Sequence, residues 1–151
     1  MRKKYKPKPI RANALEWVIS GLQPMAAAGD ALVILRIKNH GALEAILAGK
    51  GGVGEADTLI AAMNITEALA RVDFGNDWAD EITAAQDALF AMSVRGLRTG
   101  SFGFTAAELD AMNTAMGVHD AQLDAITIAD MEVAINTTKR IIAAGRARVI
   151  A

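Results

Sequence analysis

Apolar side chains recur at three- and four-residue steps through most of the chain, the spacing that lines one face of an α-helix. Asn13 with Glu16 three residues on has the form of a helix start, and Leu15, Val18, Ile19 and Leu22 then mark one face until Pro24 ends it. From Asp30 to Gly49 the string ALVILRIK is rich in β-branched residues, yet Leu32, Leu35, Asn39, Ala42 and Ile46 keep helical spacing without a proline between them. One long helix is expected there. A glycine-rich connection, Gly49 to Gly54, leads to Asp57–Val72, which is apolar nearly all round and so belongs near the centre of the fold. Phe74-Gly75-Asn76 closes that helix, Asp77 can cap the next, and Trp78, Ile82, Ala85, Leu89 and Met92 form its stripe as far as Gly96 to Gly100.

Two reciprocal capping patterns mark the last helices: Thr105 with Glu108, and Thr127 with Asp130. Leu109, Met112, Met116, His119, Leu123 and Ile126 make a seam that must face another helix, and Ile128, Met131, Ile135, Thr138 and Ile142 continue the rhythm. The expected fold is all-α, an irregular bundle of about five helices. Residues 13–151 form a single helical domain, with the last two helices packed through their seams and a homodimer open to the same seam. Residues 1–12, carrying Lys6-Pro7 and Lys8-Pro9, read as a basic extended arm.

Composition sharpens this picture. Hydrophobic residues make up 52% of the 151 residues but aromatic ones only 5%, which favours close packing of Ala, Leu, Ile, Val and Met between helices. With no cysteine, disulfides, thiolate catalysis and cysteine-based metal sites are excluded. The start, MRKKYKPKPIR, is followed by a segment broken by Glu16, Ser20, Gln23 and Pro24, unlike a secretion signal, and no apolar run is long enough to span a bilayer. A cytoplasmic protein is expected.

The net charge of −1 conceals a segregation. Arg2, Lys3, Lys4, Lys6, Lys8 and Arg11 crowd the start with Tyr5 among them, and Lys139, Arg140, Arg146 and Arg148 crowd the end. Between them, residues 30–134 carry 16 acids against 6 bases. These basic termini are the candidate partner- or nucleic-acid-binding residues, since flexible cations follow either a phosphate backbone or an acidic protein groove. A plain solvated tail is the competing reading of the arm.

Signals for chemistry are weak. Lys50-Gly51-Gly52-Val53-Gly54 resembles the opening of the phosphate loop KGGVGK[ST] of the ParA/MinD class of ATPases, but Glu55 and Ala56 stand where that loop needs its lysine and its magnesium-binding hydroxyl. A helix-to-helix linker is the better reading. His40 with Glu44, and His119 with Asp120 and Asp124, are His-carboxylate groupings too small to hold a metal alone. His119 in the apolar seam is expected to be a hydrogen-bonded core histidine, and His40 a surface residue or local cap. No catalytic residue, metal or cofactor is nominated, so the protein is read as a non-enzyme.

The strings IKNHGALEAILAG, TLIAAMNITEALARVDFG and HDAQLDAIT resemble small helical accessory proteins of proteobacterial phages and prophages, over roughly residues 30 to 130. That resemblance implies a protein of the bacterial cytoplasm that binds and modulates a host or phage protein. Two other readings stay open: a nucleic-acid-binding module using both basic termini, and an acidic nucleic-acid mimic that inhibits a host enzyme.

Overall fold

A computed structural model describes residues 24–148, and the expected arm and the helix over 13–22 lie outside the described residues. Five helices follow one another: α1 (Asp30–Leu47), α2 (Val53–Ala70), α3 (Ala79–Thr99), α4 (Ala106–Ala125) and α5 (Ile128–Ala143). Short 3₁₀ turns precede α1 and α3. Among the described residues there is no strand, only an isolated antiparallel bridge between Pro24 and Thr127.

The β-branched run at the start of α1 is helical because burial follows the helical period: Leu32, Asn39, Ala42, Leu43 and Ile46 turn inward. At its end Gly49 takes a left-handed φ of 73°, and the amides of Gly49 and Lys50 donate to the carbonyls of Ile46 (3.1 Å) and Ala45 (2.8 Å). A Cβ on Gly51 would overlap Ile46, so the linker must be bare at that point. α2 starts at Val53, four residues before the expected Asp57, because the Glu55 carboxylate reaches back to accept from the Gly52 amide at 2.8 Å.

Both capping boxes form as the pattern requires. Thr105 Oγ1 accepts from the Glu108 amide (3.2 Å) while Glu108 accepts from the Thr105 amide (2.9 Å). Thr127 and Asp130 do the same at 3.1 and 2.8 Å. Glu108 also takes Arg95 of α3 at 2.5 Å. Burial pushes its carboxyl up, but the bonds from Arg95 and Thr105 outweigh this and hold it below the ordinary range.

The end of α2 and the start of α3 depart from expectation. Asp73, not Gly75, takes the first left-handed turn (φ 73°), with the Phe74 amide donating to Leu69 O at 3.0 Å. Asp77 does not cap α3; Asn76–Trp78 form a 3₁₀ turn, and no side chain caps the helix. That turn carries Trp78 off the inner stripe, leaving it 47% exposed, while Ile82, Ala85, Leu89 and Met92 are buried as expected.

α2 is the hub, packed against α1, α3, α4 and α5. One cluster joins Leu43 and Ile46 to Leu59 and Met63, Leu89 and Met92, and Met112 and Met116; a second joins Met25, Leu32 and Leu69 to Leu123, Ile126, Met131 and Ala134. Each fully buried Leu or Met contributes roughly 2 kcal/mol of transfer free energy. The seams of α4 and α5 do not pack along their length as expected; they come together only at the turn between them, where Leu123 and Ile126 share the second cluster with Met131 and Ala134. α4 presents its seam to α2 and α3, while α5 packs on α2. The extended residues Ile126 and Thr127 redirect the chain between them, and Ile126 O is held by the Met25 amide at 2.7 Å. The α4 seam is therefore consumed inside the chain, and a dimer through it loses its surface.

Candidate functional site

His119 lies 1% exposed at the meeting of three helices. The Thr66 hydroxyl of α2 donates to Ala62 O at 2.8 Å, which leaves its oxygen to accept from His119 Nδ1–H at 2.9 Å. The Asn39 amide of α1 lies 3.3 Å from Nε2 and donates to it. These roles assign the neutral Nδ1–H tautomer. Burial pushes the imidazole down to about 4 from its usual 6.5, against an upward pull from the Asp120 charge. Gln122, one helical turn on, donates to Thr66 O (3.0 Å) and Phe74 O (2.6 Å). A neutral, doubly hydrogen-bonded histidine with no solvent access ties helices together and has no route to a substrate.

The surface histidine has a cross-helix partner, not Glu44 on its own helix face. His40 Nε2 lies 2.8 Å from Asp120, and Arg36 reaches Asp124 at 2.5 Å. These pairs tie α1 to α4. Among the described residues no three of His, Asp and Glu converge as metal ligands would.

Lys50 to Gly52 connects helix to helix, with no strand before it, and Val53 and Gly54 already belong to the first turn of α2. The Glu55 carboxylate already occupies the amide of Gly52, where a phosphate would otherwise sit at the start of α2. The segment is the linker that the sequence reading favours.

The basic residues at the end of the chain fall into two settings. Lys139 and Arg140 stand exposed on the outward side of α5, around a shallow recess lined also by Val133, Asn136 and Ala143. Arg146 and Arg148 line a groove on its opposite side, between α5 and α3 over α2. Arg148 pairs with Asp87 of α3 at 2.8 Å and lies 5.0 Å above the Phe90 ring, so part of its charge is spent on the fold. Arg2, Lys3, Lys4, Tyr5, Lys6, Lys8 and Arg11 lie outside the described residues.

Sequence reasoning missed the groove, because its walls come from helices whose neighbours periodicity does not name. It also missed the row Val33, Ile34 and Ile37, 54%, 63% and 67% exposed on α1. That row could have been found as the second apolar face of a helix whose first face was already assigned. None of the helices among the described residues is long and apolar enough to cross a membrane. Comparison with protein-family models, with characterised proteins and with solved structures gives no match for the chain.

Proposed function

We propose that this protein is a non-catalytic binding module that docks an acidic protein partner on the outward side of α5. The supporting observation is the recess there: Lys139 and Arg140 stand exposed beside Val133, itself 53% exposed, on a chain whose residues 30–134 carry 16 acids against 6 bases. A cationic patch with an apolar centre attracts an acidic surface over a distance and gains by burying carbon at contact. The acidic body elsewhere steers such a partner away from other faces. The phage-like helical strings add a setting, a bacterial cytoplasm in which an accessory protein modulates a host or phage protein.

The test is affinity capture from a bacterial lysate by the wild-type chain and by the triple variant Val133→Glu, Lys139→Glu, Arg140→Glu. A protein held by the first and lost by the second supports the reading. An identical set of captured proteins from both refutes it, and capture abolished by nuclease moves the assignment to nucleic acid.

A further inference from the structure

α3 and α5 both pack on α2 and leave between them an open groove of about 240 Å³. One face of α2 forms its floor through Ile60 and Met63; Leu89 and Phe90 line it from α3, and Ile141 and Ile142 from α5. Ile142 is 53% exposed, an unusual state for a large aliphatic side chain that has apolar neighbours within reach.

The polar groups at the rim are unevenly matched. Arg71 is engaged by Glu67, whose other oxygen accepts from Gln86 at 3.2 Å. Arg148 is engaged by Asp87. Arg146 also lines the groove; its backbone amide donates to Ile141 O at 3.2 Å, and among the described residues its guanidinium has neither a hydrogen bond nor an ion pair. Three guanidinium groups against two carboxylates leave one positive charge in excess, located on Arg146.

An apolar trough with a single uncompensated cation at its mouth complements an amphiphile with one negative charge. We propose that this groove binds a medium-chain carboxylate, its alkyl chain laid over Ile60, Met63, Leu89 and Ile142 and its head paired with Arg146. At about 30 Å³ for each water-sized group, the space accommodates about eight such groups, the seven-carbon tail of an octanoate together with its carboxylate carbon. The guanidinium fork offers two parallel donors to a carboxylate, whereas an alcohol of the same length can use neither charge nor fork. Lys139 and Arg140 take no part, so this site stands or falls independently of the docking surface on the other side of α5.

The full-length ¹⁵N-labelled protein is titrated with octanoate, octanol and acetate, and amide shifts are followed. Saturable octanoate shifts confined to residues 60–71, 86–90 and 138–148 are expected, with octanol at least tenfold weaker and acetate without effect. Arg146→Ala should weaken octanoate about tenfold and bring it level with octanol, while Ile142→Glu, a change at an exposed position that keeps the fold, should abolish both. The proposal is overturned by non-saturable shifts, by shifts mapping elsewhere, by equal affinity for octanoate and octanol in the wild type, or by octanoate affinity unchanged in both variants.

Discussion

Acidification from pH 7.5 to 5 should weaken the fold through one residue, His119. The native environment holds its imidazole neutral down to about 4, whereas the unfolded chain takes up a proton near 6.5. The unfolded state therefore binds more protons between these values, so stability is fully present above about 6.5 and is lost as the pH falls toward 4. At about 1.4 kcal/mol per unit, the displacement from 6.5 to about 4 corresponds to about 3 kcal/mol, of which about 2 kcal/mol is lost by pH 5. That is a large share of the 5–15 kcal/mol typical of a domain. The structural cause is specific: Nε2 faces an Asn39 amide donor, and a second proton there would find no acceptor at 1% exposure. Urea unfolding followed by circular dichroism, at pH 7.5, 6.5, 5.5 and 5, measures the loss. His119→Gln should be less stable than wild type at pH 7.5, by about 2 kcal/mol for broken buried hydrogen bonds, but should show a flatter profile between 6.5 and 5. The reasoning is refuted if wild type is equally stable at pH 7.5 and 5, or if the variant keeps the wild-type slope.

Two glycines inside helices should respond in opposite ways to alanine. A Cβ at Gly96 overlaps the Phe102 ring, so Gly96→Ala should lower the thermal midpoint by the equivalent of about 1–2 kcal/mol despite alanine's better helix propensity; Gly41→Ala meets nothing within 4 Å and should raise stability by about 0.5–1 kcal/mol. Met63, 0% exposed at the hub, should cost about 2–5 kcal/mol in urea melts when changed to alanine. Glu108→Ala removes an acceptor for the Thr105 amide and the partner of Arg95, and should cost about 2 kcal/mol, with amide exchange accelerated in the first turn of α4 before the rest of the helix.

Helix positions were written locally. The Thr105–Glu108 and Thr127–Asp130 pairs cap α4 and α5 at the expected residues, and the spacing of Leu32, Asn39, Ala42 and Ile46 outweighed the β-branched run that surrounds them. The all-round apolar character of the middle segment was enough to place it at the hub, because only a helix enclosed on every side can hide such a surface. The identities of neighbours were not written this way. An apolar stripe states that a face must be covered and is silent on what covers it, so the α4 and α5 seams looked like partners, yet the extended pair at Ile126 and Thr127 sends both onto α2. The same limit hid the links from His119 to Asn39 and Thr66, 80 and 53 residues away in sequence. It also hid the separation of Lys139 and Arg140 from Arg146 and Arg148 onto opposite sides of α5. Local hydrogen bonds and helical period depend on residues within about one turn, whereas ion pairs and grooves depend on how whole helices come to rest against one another.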